Sequence, residues 1–203
     1  REAMLKNIVG GGEIINTICT PGQVGCSSDG ATVYKYDPAL SKKLLAEAGY
    51  PNGLSLDFMS YRERNQAEAM INYLQAVGIK AKLNFMQYAA MRDLARSGKV
   101  AIAHQTWGSN LINDTSASTP VYFGGGGDDL TKDPEVIKLL DKADHTIDPK
   151  ERKETYNKAL VMISEKAYAV PLWTLPVYYV ANKDVKFTPY HDELVRFWEM
   201  GWK

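Results

Sequence analysis

Charge of one sign is what this sequence lacks most completely: its 24 lysines and arginines are matched by 24 aspartates and glutamates. A chain with no net field, and with no Lys/Arg run long enough to grip phosphates, is not built to hold nucleic acid or an anionic membrane surface. No stretch approaches the ~18 consecutive apolar residues that a membrane-spanning helix needs. Cysteine is scarce too. Cys19 and Cys26 are too few to close a tetrahedral zinc site unaided, and their spacing is not the CxxC of redox and zinc motifs. They flank the turn-rich Thr20-Pro21-Gly22-Gln23-Val24-Gly25. A small disulfide loop suited to an oxidising compartment is therefore expected, with two reduced thiols as the alternative.

Catalytic constellations are equally thin. His104, His145 and His191 are scattered, and no GxSxG elbow accompanies them, so a nucleophilic triad has no visible base. His145 lies near Asp141 and Asp144 on a solvated helix, and His191-Asp192-Glu193 are neighbours on a turn; adjacent residues seldom converge on one ion. Neither Gly10-Gly11-Gly12 nor Gly124-Gly125-Gly126-Gly127 is followed by Lys-Ser/Thr, which removes a P-loop. No metal, no cofactor and no enzyme activity are expected. A small hydrolase built on His104 with a nearby Ser or Asp is the competing class.

What remains is an ordinary globular composition, with 45% hydrophobic and 24% charged residues in 203, enough for one full core or for a large and a small subdomain. The opening Arg1-Glu2-Ala3-Met4-Leu5-Lys6 reads as the middle or end of a helix and not as a secretory leader. We therefore expect a piece of a longer chain. Asp37-Pro38, Asp133-Pro134 and Asp148-Pro149 mark three helix starts, because Asp accepts orphan amide hydrogens and Pro has none to lose. Leu40, Leu44, Leu45 and Ala48 share a helical face on the first. Leu54, Leu56 and Phe58 then alternate as in a strand, Ala67, Met70, Ile71, Leu74 and Val77 follow a helical period, and Ala81, Leu83 and Phe85 alternate again. With a short helix around Met91 and a strand over Val100 to Thr106, this is a βαβαβ run, hence a parallel sheet flanked by helices. Pro171 and Pro176 demote the later apolar run to an edge strand or crossing segment.

Ligands of open α/β sheets collect beyond the carboxyl ends of strands. His104-Gln105-Thr106-Trp107-Gly108-Ser109-Asn110 sits there, an aromatic plate followed by small polar residues that suit a small polar solute; burial of Trp107 in a core is the plainer reading. Arg62 and Arg64, just after the first strand, have the chemistry to meet a carboxylate through bidentate hydrogen bonds. Trp173, Tyr178 and Tyr179 are a second aromatic group that either lines the same cleft or is buried.

Tyr36-Asp37-Pro38 and Ala46-Glu47-Ala48-Gly49-Tyr50-Pro51-Asn52-Gly53 resemble the signature "YDP … LLAEAGYPNG" of family 5 extracellular solute-binding proteins, the peptide, nickel and opine receptors of ABC importers. Arg1-Glu2-Ala3-Met4, Lys6-Asn7-Ile8-Val9-Gly10-Gly11 and Val170-Pro171-Leu172 resemble further words of that family, in the right order over essentially the whole chain. The resemblance implies a periplasmic-binding-protein-like (type II) α/β lobe, the C-terminal one of two. Residues 1–35 then lie near the interlobe crossing, 36–168 form the α/β core, and 169–203 supply the returning strand and tail. It implies a monomeric periplasmic receptor that captures a small-molecule or oligopeptide solute for an inner-membrane ABC permease, without catalysis. An opine, a sugar conjugate or a metal chelate as ligand, or docking to a membrane sensor, are the alternatives.

Dipeptide-type members of that family place an aspartate shortly after a Trp, where it pairs with the peptide's amino terminus. The matching position here is Asn110, with Asp114 further along. An Asn carries no charge to hold an ammonium. Either Asp114 substitutes from the loop, or the ligand is not an ordinary peptide. The expected ligand-binding set is Trp107, Gly108, Ser109, Asn110, Asp114, His104 and Arg64.

Overall fold

The computed structural model describes residues 1–108, 112–190 and 193–203. The chain opens with a short helix, α1 (Glu2–Met4), which runs into a wider turn over Leu5–Val9 and stops at Gly10. After a long irregular stretch comes α2 (Pro38–Glu47). Five elements then alternate: β1 (Leu54–Ser60), α3 (Arg64–Gln75), β2 (Ile79–Phe85), α4 (Tyr88–Arg96) and β3 (Ile102–His104). A 3-10 turn over Thr115–Ala117 leads into α5 (Thr119–Phe123), and the hairpin of α6 (Pro134–His145) and α7 (Pro149–Glu165) follows. Near the end, β4 (Val185–Lys186) and β5 (Gly201–Trp202) pair antiparallel.

All three Asp-Pro signals start helices. The carboxylate of Asp37 accepts from the amide of Leu40, Asp133 from those of Glu135 and Val136, and Asp148 from that of Glu151. Asp133 also receives Lys166 Nζ at 2.6 Å and the Tyr168 hydroxyl at 2.7 Å, so one carboxylate ties the start of α6 to the end of α7.

The sheet is parallel, in the order β2-β1-β3. β2 pairs with the whole of β1, from Leu54 opposite Ile79 to Ser60 opposite Phe85. β3 covers only its last three residues, Phe58 to Ser60. Burial follows the pairing: the first four residues of β1 alternate half-buried and exposed, and the last three are all buried. The third strand is thus shorter than the expected Val100 to Thr106, because its pairing with β1 is confined to Ile102–His104.

Burial is found at the sheet and among the later helices. At the sheet, Phe58 and Met59 are buried on its opposite faces, and Ala67, Met91 and Ala95 are buried on the flanking helices. Among the helices, Phe123, Val136, Leu140, Ala143, Tyr156, Ala159 and Ile163 form one apolar cluster between α5, α6 and α7. The apolar face expected on α2 is not covered in this chain: Leu40 is 48% and Leu44 54% exposed. Helical spacing makes a stripe, and only a partner surface can bury it. The segment bearing Pro171 and Pro176 forms no extended strand. It meets the chain's beginning at a single antiparallel bridge between Ile14 and Trp173, reinforced by the Thr174 amide donating to Glu13 O at 2.8 Å and by Arg1 Nη1 donating to Ile15 O and Pro171 O.

Candidate functional site

Because β1 and β3 run parallel, their carboxyl ends and the start of α4 after β2 open on the same edge. At that edge Ser60 and His104 are register partners. The Ser60 hydroxyl donates to Arg62 O at 2.9 Å and lies 3.2 Å from His104 Nδ1. With the hydroxyl hydrogen already committed, Nδ1 carries the proton and donates to Ser60. Burial pushes the His104 imidazole below its ordinary value, against a smaller opposing effect of the Glu63 charge. His104 is therefore neutral at pH 7 and acts as a tie between strand ends.

Immediately after β1, the Tyr61 hydroxyl donates to Thr106 O at 3.0 Å and accepts from the Thr106 amide at 3.3 Å. Its ring leans on Tyr88, with centroids 4.9 Å apart. Trp107 is half-buried; its Nε1–H donates to Ala117 O at 3.0 Å, and its ring meets Tyr122 edge to face at 5.4 Å. The indole hydrogen is spent inside the protein, so a solute would find the ring faces. The Tyr122 hydroxyl is buried and meets no hydrogen-bond partner among the described residues. Burial, followed by Tyr88 and Tyr61, raises its pKa well out of the working range.

Below this row a single carboxylate gathers two arginines. Asp128 receives Arg92 Nε at 2.9 Å and Nη2 at 2.5 Å, and Arg96 Nε at 2.9 Å. The hydrogen bonds from Arg92 and Arg96 hold its carboxyl well below the usual carboxylate range. Neighbouring Asp129 accepts from the amides of Gly125, Thr131 and Lys132, so the glycine-rich loop is knotted around its own acidic pair.

The expected site residues separate accordingly. His104, Trp107 and Gly108 stand together at the sheet edge, His104 buried and Gly108 exposed. Ser109 and Asn110 lie outside the described residues. The Asp114 carboxylate is engaged by Arg152 Nη2 at 2.6 Å and by the Ser116 amide at 2.9 Å. Burial alone would raise its pKa, but these hydrogen bonds and the Arg152 charge outweigh that and leave it lowered. Arg64 pairs with Glu68 one turn along α3 at 3.2 Å and lies 4.8 Å above the Phe85 ring. Arg62 reaches the strand end instead, donating to Thr106 Oγ1 at 3.3 Å. Of the second aromatic group, Trp173 is buried at the Ile14 bridge, Tyr179 packs on Phe187, and Tyr178 is exposed.

Tyr61, Tyr88, Tyr122, Arg92 and Asp128 escaped the sequence reading. Tyr61 follows β1 immediately and Tyr88 lies three residues past β2, so scanning just beyond every strand end would have found both. Nothing local marks Tyr122 or Asp128.

Cys19 and Cys26 are joined, with Cα atoms 5.7 Å apart. The loop they close lies against the segment after Trp107: the Val24 amide donates to Asn113 O, the Thr115 amide to Val24 O, and Thr119 Oγ1 to Ile18 O.

The family described as bacterial extracellular solute-binding proteins, family 5 Middle, matches residues 1–129. Heme-binding protein A of Haemophilus influenzae is 25% identical over 164 residues, covering 75% of this chain and 30% of that protein. Glutathione-binding protein GsiB of Escherichia coli (strain K12) is 27% identical over 155 residues, 68% of this chain and 30% of that one. Among solved structures, a dipeptide binding protein from Pseudoalteromonas sp. SM9913 in complex with Met-Leu superposes with a TM-score of 0.82 at 21% identity, over 100% of this chain and 43% of that one. The fold is thus the α/β fold of periplasmic binding proteins, with helices flanking a small parallel sheet. The chain spans about 30% of the length of the curated relatives it matches.

Proposed function

This chain belongs to the bacterial extracellular solute-binding proteins, family 5, and on that premise we propose that it is the C-terminal lobe of a receptor that closes over a small peptide-like solute and hands it to an ABC permease. The observation that carries this reading is the row Tyr61, Tyr88, Trp107 and Tyr122 at the carboxyl edge of the sheet, with the Arg62 guanidinium leaning across Thr106. Ring faces bury the apolar part of a solute, and a guanidinium without a carboxylate partner among the described residues holds a carboxylate. Asp114 and Arg64, both already paired, frame the site and leave the ligand to Trp107, Gly108 and the residues that follow.

Several features support the rest. Ser60 and His104 bond each other and the backbone, which fits a receptor rather than a hydrolase. The Ile14–Trp173 bridge and the Arg1 contacts join the start of the chain to residues 171–174, which supports reading residues 1–35 and 169–203 as lying near a crossing between lobes. Capture then proceeds by hinged closure about such a crossing. The Cys19–Cys26 bond suits a periplasmic monomer. The relatives' names point to peptide-like and heme ligands, so a peptide, glutathione or a modified peptide is the first class to try.

The test is an NMR titration of the isotopically labelled chain with L-methionyl-L-leucine and with glutathione. Amide shifts confined to residues 61–64, 88 and 104–108, and lost in Trp107→Ala, are expected. Shifts scattered over the surface, or unchanged in Trp107→Ala, would sink the proposal.

A further inference from the structure

Arg152 stands near the start of α7 with most of its side chain buried. Its Nη2 donates to Asp114 Oδ1 at 2.6 Å and to the Tyr156 hydroxyl at 3.0 Å. That hydroxyl donates in turn to Asp144 of α6, so its oxygen is free to accept from the guanidinium. The guanidinium also lies 5.0 Å from the centroid of the Tyr156 ring, and Tyr156 belongs to the apolar cluster between α5, α6 and α7. The α6–α7 hairpin thus fixes the guanidinium from behind, and the free end of it points at the segment that follows Trp107.

Asp114 passes the constraint on. The oxygen that receives Arg152 also accepts the Ser116 amide at 2.9 Å and so caps the 3-10 turn over Thr115–Ala117. At the far end of that turn, Ala117 O accepts the Trp107 Nε1–H at 3.0 Å. The turn is gripped on its other side by the disulfide loop, because Val24 O receives both the amide and the hydroxyl of the fully buried Thr115. Those contacts hold the backbone at Thr115, and the Arg152 pair holds the cap that shapes the rest of the turn. An indole tied by its N–H takes its pose from the acceptor, so a displaced Ala117 O carries the Trp107 ring with it. A continuous run of polar contacts therefore joins the interior of the helical hairpin to the aromatic row at the sheet edge.

We infer that Arg152 is a positioning residue of the solute site, which sets the pose of the Trp107 ring through Asp114 and the turn Thr115–Ala117. The inference rests on the solute-site reading above. It makes Asp114 an internal anchor and not a ligand group, and it brings the α6–α7 hairpin into the binding machinery.

The experiment takes two NMR readouts from the 203-residue chain: the indole N–H resonances without solute, and a titration with L-methionyl-L-leucine. In Arg152→Gln the Trp107 indole resonance should move and its hydrogen exchange quicken, while those of Trp173, Trp198 and Trp202 stay in place. Affinity for the dipeptide should fall about fivefold. Asp114→Asn should give the same two changes, and the double variant should lose no more than either alone. Arg152→Lys should recover most of the affinity, because a single nitrogen makes both contacts. If Arg152→Gln folds poorly, Asp114→Asn carries both readouts. An unmoved Trp107 indole or an unchanged affinity in the folded variant overturns the inference alone, whatever happens to Tm. An absence of shifts at the sheet edge when the wild-type chain is titrated overturns the solute-site reading and this inference with it.

Discussion

Ser60 Oγ lies 3.2 Å from His104 Nδ1, across the ends of two parallel strands. The contact joins the only part of β1 that β3 covers to the loop that carries Trp107. An imidazole held there by its Nδ1–H, and neutral, fastens the two strand ends together.

That fastening has a pH signature. His104 titrates at about 6.5 when unfolded and lower when folded, because burial disfavours its charge. Between those two values the unfolded chain binds the extra proton. The contribution is therefore complete above pH 6.5 and is lost as pH falls through the window toward the folded value. His104→Gln should be less stable than wild type near neutrality, and the Tm difference should shrink between about pH 7 and about pH 5. A difference that stays constant over that range would contradict the buried neutral tie.

Reduction of the Cys19–Cys26 bond tests the support behind the site. Closing so short a loop, with a sequence separation of 7, stabilises the fold by about 2–3 kcal/mol on the chain-entropy account. Reduced protein should lose roughly that amount in urea denaturation. Hydrogen exchange should quicken most at the Val24 and Thr115 amides, which join the loop to the segment after Trp107. Uniform acceleration across the sheet would mean that the loop does not act locally.

Two glycines with similar backbones separate steric crowding from conformational cost. At Gly53 an added Cβ would lie 2.1 Å from Gly78 O, at the entry to the sheet, whereas at Gly98 it would meet nothing within 4 Å. Both have positive φ, 78° and 71°. Gly98→Ala should cost about 1 kcal/mol, the left-handed penalty alone. Gly53→Ala should cost about 3 kcal/mol, since the neighbouring backbone must also move. Equal losses in urea denaturation would refute the close approach of the two turns.

The helix starts were legible because capping is local: Asp37, Asp133 and Asp148 reach amides two or three residues away. The βαβαβ order was legible from periodicity, which needs only neighbours. What escaped depends on long separations. Asp114 reads as a free loop carboxylate until Arg152, 38 residues later, is seen against it, and Asp128 is unremarkable until α4 brings Arg92 and Arg96 over it. The start of α3 carries no Asp-Pro signal, because Glu63 adopts a backbone that propensity argues against. For α2 periodicity gave the helix and its stripe, and left open what covers the leucines, because a covering surface is not coded in the stripe.

The placement of the aromatic residues carries a lesson about how such a lobe changes over time. Tyr61, Tyr88 and Trp107 each lie one to three residues past the end of a different strand, hung from the frame rather than woven into it. Pairing between the strands is set by backbone contacts that end before these residues begin. A substitution at any one of them leaves the strand register in place, although Tyr61 and Tyr88 pack on each other and so vary as a pair. If these rings line the solute site as proposed above, selectivity and foldability are carried by separate parts of the chain.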